Sequence, residues 1–478
     1  MKALPGTNAI LAAIWTASSA SLAAIILAVV TSKIIALYAG LEGIALLGMF
    51  RSLGGIVSGV LALGSGTVLM ARVSNASSTK EAGETVSAFL LLLVFQLPVV
   101  AVAALFFADP ITKGLFGESA GGRSGEVRLV LMMGFVNLAL QTLTAVLRGQ
   151  GNLKQSARVQ LATAFASLLF IFPLLSLGDA GLAVNVGSGS VLGTCLATFY
   201  IWRAYGVALI VGSLARRIAL LRNTLRPSLQ VMFQSIVLIG STLAIQSIIN
   251  KHYGLQNLGA YNAATMVLDT AILILMSAMR SYLLPQLGKI QDSAGKDEFF
   301  SQMLATMLIL ATAAAIPMIF CSKYIVWALF SKQFADTGAL ISIYGLAMIG
   351  QVLVWSFNTY LLHKNDVAVF VLLDSLWALG YVASALACAK LGLPLKAVAW
   401  AFVLTGFIHA GFYALLTVRA HGSGLFSGRS VRLAGQCVLI AGSGYALLSA
   451  GHPLIGLLSA GAIAVGAAAF HRPHKEAS

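Results

Sequence analysis

The chain of 478 residues is short of charge and shorter still of acid: Lys, Arg, Asp and Glu make up 9% of it, with 15 acidic residues against 30 basic ones. So few charges cannot cover the water-facing surface of a protein this long, which excludes a soluble globular fold. Cysteine is scarce too. Cys195, Cys321, Cys388 and Cys437 fall within or at the ends of apolar runs, with no CxxC spacing and no paired histidine. They read as small apolar fillers, and no metal is expected. There is no P-loop, so the chain does not hydrolyse ATP itself. The longest polar stretches between apolar runs that could carry catalytic groups outside the membrane, 108–126 and 322–337, are too small for a glycosyltransferase, ligase or polymerase. No enzyme activity and no cofactor is expected.

What is present is apolar. Hydrophobic residues make up 59% of the chain and the mean hydropathy is +0.92. The expected fold is an all-α polytopic membrane protein. Runs of about 20 residues, the length that crosses about 30 Å of hydrocarbon, mark about fourteen spans. They lie near 9–37, 45–71, 85–107, 127–147, 157–177, 182–203, 228–251, 260–282, 300–321, 338–361, 367–389, 395–418, 433–450 and 454–470. The first run is too long for a signal-peptide core and lacks a clear cleavage site, so it reads as an uncleaved span. The net charge of +15 is scattered in short clusters, with no basic stripe and no aromatic stacking platform, so nucleic acid is not an expected partner. Charge reports topology instead. Arg148, Lys154, Arg158, the arginines of 203–226, Lys289, Lys296, Arg419, Arg429, Arg432, Arg472 and Lys475 share one side, which predicts both termini in the cytoplasm.

A repeat runs through the chain. Lys113-Gly-Leu-Phe-Gly117 is echoed by Trp327-Ala-Leu-Phe-Ser331, Leu47-Gly-Met-Phe50 by Leu258-Gly-Ala-Tyr261, and Thr144 and Leu147 by Thr359 and Leu362, at offsets of 211 to 215. Six spans separate the copies, an even number, so the repeats are parallel. The expected layout is a six-helix lobe in 1–212, a second in 213–425, a central cavity between them, and an added helix pair with a tail in 426–478.

The stretch from Leu46 to Arg72 carries a cation, Arg51, inside an apolar run. At helical spacing Arg51 shares a face with Gly55, Ser58, Gly59, Ala62 and Gly66. Gly55 and Gly59 form a small-xxx-small pair, which suits close helix packing as well as a cavity wall. A mid-membrane charge costs about 2.5–3.5 kcal/mol on lenient scales, so Arg51 needs a partner, water or an anionic ligand. Asn262, Thr265, Asp269 and Arg280 fall on one face of the eighth span, and Asn137, Gln141, Thr144 and Arg148 on one face of the fourth. For the amides the plain alternative is interhelical hydrogen bonding. Asp269 reads as functional, a candidate for ion coupling. Asp374 is a second candidate, but it and Lys33 lie where snorkelling could satisfy them. His409 stands alone in the twelfth span and reads as a packing residue.

Lys33, the Gly40 to Gly43 turn, Phe50-Arg51, Lys113 to Gly117, Tyr282-Leu-Leu-Pro-Gln-Leu287 and Leu329-Phe-Ser-Lys-Gln-Phe334 give the chain a likeness over about residues 1–420. It resembles the Wzx-type flippases of the polysaccharide transporter branch of the MOP superfamily, and is similar to members handling O-antigen or enterobacterial common antigen units. The resemblance implies a V-shaped two-lobe fold in the bacterial inner membrane. It implies a cation-lined cavity for an undecaprenyl-diphosphate-linked oligosaccharide, with the lipid tail left in the bilayer and polysaccharide polymerase machinery receiving the unit. Residues placed in that cavity are Lys33, Arg51, Asn137, Gln141, Asp269 and Arg280. A multidrug exporter and a lipid II flippase of the same superfamily are the alternatives.

Overall fold

The computed structural model describes residues 7–450 except 63–64, 118–121, 207–213, 223–224, 291, 364–366 and 422–427. The protein is an all-α polytopic membrane protein. Its helices are α1 (Thr7–Tyr38), α2 (Gly40–Ala62), α3 (Ser65–Ser74), α4 (Thr79–Phe116), α5 (Ser124–Gly149), α6 (Leu153–Leu175), α7 (Asp179–Tyr205) and α8 (Leu214–Arg222). They continue as α9 (Leu225–Tyr253), α10 (Leu255–Lys289), α11 (Ser293–Phe320), α12 (Ser322–Leu329), α13 (Thr337–His363), α14 (Val367–Lys390), α15 (Leu395–His421) and α16 (Gly428–Ser449). Among the described residues eleven helices are long and apolar enough to cross a membrane, and Ala23–Tyr38 and Ala434–Ser449 are shorter apolar helices. The last expected span, 454–470, lies outside the described residues.

The expected second span, 45–71, corresponds to α2 and α3, with residues 63–64 between them outside the described residues. The α4 start is fixed by local chemistry: the Ser78 hydroxyl accepts from the Glu81 amide at 3.2 Å while the Glu81 carboxylate accepts from the Ser77 amide at 2.9 Å.

The repeat has a structural signature in two turns. α1 passes to α2 through Gly40 at φ 62°, and α9 passes to α10 through Gly254 at φ 88°. α6 passes to α7 through Gly178 at φ 61°, and α14 passes to α15 through Gly392 at φ 65°. Both pairs of glycines are separated by the same interval, and that interval falls within the offsets of the sequence repeat. Left-handed backbone at a helix C-terminus strongly favours glycine, so both copies keep it at these two reversals.

The helices gather in two compact units, one of residues 20–259 and one of residues 260–478 with 1–19. In the first, α5, α6 and α7 pack through small residues, with Gly189 and Gly193 of α7 seated against Thr163 of α6. α2 lies between α5 and α7 on one flank and α9 on the other: Gly54 meets Gly134 and Val186, while Gly55 and Gly59 meet Ile239 and Ser235. The small-xxx-small pair thus serves packing. In the second unit α13 is the most enclosed span. α11, α15 and α16 pack round it, α16 by Cys437 near the Leu308 carbonyl and Tyr445 edge-on to Trp400 at 5.2 Å.

Candidate functional site

Arg51 stands eleven residues into α2, about 16 Å along a helix of about 35 Å. Its neighbours Phe50 and Leu53 are buried, at 1% and 4% exposure, and Gly54 and Gly55 beside it contact the flanking helices. The Arg51 side chain itself is exposed, and the guanidinium has no hydrogen bond or ion pair among the described residues. A cation at mid-helix depth, exposed on a helix whose neighbouring glycines pack against the flanking helices, leaves its donors available for an anion.

The other expected cavity residues divide by their partners. Lys33 of α1 is half-buried and engaged within the protein. Asn137 of α5 spends its amide on α7: Nδ2 donates to the Val186 carbonyl at 3.1 Å and Oδ1 accepts from the Ser190 hydroxyl. That is interhelical bonding. One turn on, Gln141 is exposed, and Thr144 turns back to donate to the Leu140 carbonyl at 2.8 Å. In the second unit Asp269 of α10 is exposed, and its carboxylate has no hydrogen bond or ion pair among the described residues. Arg280 lies on the same helix, but its side chain is outside the described residues.

Asp374 does not snorkel. It is 6% exposed, and the Tyr413 hydroxyl of α15 donates to its Oδ1 at 2.8 Å. His409 of α15 has its partners on α14: its Nε2 lies 3.4 Å from the same oxygen, and its ring stacks on Trp377 at 5.4 Å and 7°. Trp377 stacks in turn on Tyr381, whose hydroxyl meets that of Tyr261 at 3.2 Å. This cluster escaped the sequence reading, although its spacing was available. Asp374, Trp377 and Tyr381 fall at i, i+3 and i+7 on α14, and His409 and Tyr413 at i and i+4 on α15, so each set makes one stripe. Among the described residues no group of three His, Cys, Asp or Glu could hold a metal ion.

The fold is shared with solved transporters. A lipid II flippase, MurJ in an inward closed conformation, superposes with a TM-score of 0.72 at 13% identity, over 95% of this chain and 98% of that one. A multidrug resistance MATE family transporter of the MOP superfamily, inward-facing, gives a TM-score of 0.68 at 13% identity, over 85% and 95%. In sequence the chain is 21% identical over 383 residues to the lipid III flippase of Escherichia coli K12, covering 76% of this chain and 87% of that protein. The family model for polysaccharide biosynthesis proteins matches residues 62–339. That segment is more than half of the chain, and the chain belongs to the polysaccharide biosynthesis protein family.

Proposed function

We propose that the chain is a flippase that moves an undecaprenyl-diphosphate-linked oligosaccharide, an O-antigen or related repeat unit, from the cytoplasmic to the periplasmic leaflet of the bacterial inner membrane by alternating access. The observation that carries the reading is Arg51, exposed at mid-helix depth with its guanidinium unengaged among the described residues. A diphosphate oxygen about 4 Å from it would gain about 4 kcal/mol at an effective dielectric near 20, offsetting part of the cost of desolvating both charges. The relatives named as flippases of lipid III and lipid II favour a lipid-linked cargo over a soluble one. In this reading Arg51 holds the diphosphate, with Lys33 and Arg280 as further cations and Gln141 as a hydrogen-bonding group. Asn137 braces the wall from behind. The cavity lies between the repeats of 1–212 and 213–425, the helix pair of 426–478 stands outside it, both termini are cytoplasmic, and a polysaccharide polymerase receives the unit.

A second reading, an ion-coupled multidrug exporter, draws on Asp269, whose exposed carboxylate also has no counter-ion among the described residues and would suit a cationic drug. Arg51 separates the two. In a strain lacking its own flippase, with surface polysaccharide normalised to the amount of transporter, Arg51→Ala loses display, and Arg51→Lys, which offers a point charge in place of a planar fork, keeps part of it. Full display from Arg51→Ala at equal protein level removes the arginine from cargo binding.

A further inference from the structure

Asp374 and His409 are an acid and a base enclosed together inside the second unit. Asp374 is seven residues into α14, and His409 lies fourteen residues from the start of α15 and twelve from its end, so both sit well inside their spans. Their side chains are 8% and 4% exposed. A carboxylate in such a place persists only where its charge is answered. Three neighbours answer it. The Tyr413 hydroxyl donates to Oδ1, the imidazole edge stands 3.4 Å from the same oxygen, and the Trp377 face lies parallel to the imidazole, where an indole stabilises a cation.

The geometry is not that of a closed bridge. A settled histidine–carboxylate pair aligns its N–H on the oxygen, within about 2.9 Å. Here Nε2 is within ion-pair reach of Oδ1 yet makes no hydrogen bond, and Trp377 Nε1, also buried, has no partner among the described residues. Two orphaned nitrogens in one enclosed cluster are costly, and such groups call for a role. Among the described residues, phenols face the pair from the packed helices, Tyr413 of α15, Tyr381 of α14, and beyond it Tyr344 of α13 and Tyr261 of α10, and the carboxylate of Asp269 of α10 acts electrostatically on the last two. Their hydroxyls can donate to or accept from a neighbour without adding charge.

We propose that Asp374 and His409 form a proton-binding site in the second unit, which holds and releases one proton as a coupled pair, with Tyr413 orienting the carboxylate and Trp377 stabilising the protonated imidazole. The ligand class follows from the donors. One carboxylate, one imidazole and one phenol can shift a proton among themselves, whereas a bare alkali or divalent cation needs more oxygens than the cluster offers. The proposal does not rest on the cargo reading, since it needs no cargo.

The test uses the stacked indole as reporter. Imidazolium quenches an indole stacked on it more than neutral imidazole does, so the emission of Trp377 reports the proton. The full chain is reconstituted in lipid nanodiscs, and the Trp377 signal is taken as parent minus Trp377→Phe. The expected signal falls by about half between about pH 8 and about pH 5, the span over which a histidine commonly changes charge. His409→Gln abolishes the fall, and Asp374→Asn, which takes away the counter-charge of the imidazolium, reduces it over the same range. Parent emission that stays flat across the range marks a fixed bridge and overturns the proposal without any variant. A fall that survives in His409→Gln belongs to another group and overturns it equally. Either failure leaves the flippase reading standing.

Discussion

Gln96 of α4 donates its side-chain amide to the Leu61 carbonyl of α2 at 2.7 Å. In an apolar environment water is not there to pair with a side-chain amide, so a buried one finds its partner on the protein. Gln96, 6% exposed, finds it on a neighbouring helix. It therefore ties α4 to α2, the helix that carries Arg51.

Replacing that amide should loosen the tie between α4 and α2. Gln96→Leu keeps the volume and removes the donor, and is expected to cost about 0.5–2 kcal/mol, read as a lower midpoint of thermal unfolding in detergent. Gln96→Glu should fall further, because a carboxylate cannot donate to a carbonyl unless it is protonated. An unchanged midpoint for both would mean that the bond from Gln96 to Leu61 does not stabilise the fold.

The seam of α6 and α7 makes a sharper prediction from glycine. A Cβ on Gly189 would fall on the Thr163 carbonyl, whereas a Cβ on Gly114 of α4 would meet nothing within 4 Å. Gly189→Ala should lower the yield of folded protein in the membrane several-fold. Gly114→Ala should leave it unchanged or raise it slightly, since alanine favours a helix by about 1 kcal/mol over glycine. Equal yields from the two would refute the close approach.

These contacts mark what the sequence could and could not disclose. The apolar runs, the parallel repeat and the small-residue packing were legible because each has a period: the length of one bilayer crossing, the interval between the two copies, and a single helical turn. Arg51 was legible because a charge in such a run stands out. Partners were not. Nothing in the order of residues said that Asn137 would spend its amide on Val186 and Ser190 while Gln141, one turn later, stays exposed. The repeat boundary expected at 212–213 and the packing boundary at 259–260 differ by two helices, the short α8 and α9. α9 falls in the expected second repeat but lays Ser235 and Ile239 on the glycines of α2, and adjacency in a bundle is not encoded by repeat register. His409 looked solitary because its partner, Asp374, stands on the preceding helix rather than within its own span.

Tyr360 and Asp297 offer a test at the end of α13. The Tyr360 hydroxyl donates to Asp297 Oδ1 at 2.8 Å, tying α13 to the first turn and a half of α11, and the Tyr360 ring packs on Phe300 at 4.7 Å. Tyr360→Phe keeps the ring contact and removes the bond, for an expected loss of about 1.5–3 kcal/mol where the acceptor is charged. The measurement is amide hydrogen exchange over residues 293–300, which should quicken in the variant while α16 is unaffected. Exchange that is unchanged in 293–300 would leave the bond without a stabilising role.

The two acids of the second unit should respond in opposite ways to the same substitution. Asp374 is wired in: it accepts from Tyr413 and faces His409, so Asp374→Asn exchanges a charge-assisted bond for a neutral one and leaves the imidazole without its counter-charge. A loss of about 1–3 kcal/mol and a lower unfolding midpoint are expected. Asp269 is exposed and has no hydrogen bond or ion pair among the described residues, so Asp269→Asn breaks nothing there and removes a charge that is costly at membrane depth. Its midpoint should stay within about 0.5 kcal/mol of the parent or rise. The comparison also bears on function. Had Asp269 been a structural ion pair, its neutral variant would be the less stable one, and any loss of transport would be a loss of protein. If the unfolding midpoint of Asp269→Asn holds while transport loses its dependence on an imposed ion gradient, the carboxylate acts on the transported species. A midpoint that drops as far as that of Asp374→Asn would instead place a partner on Asp269 and take it out of the transport path.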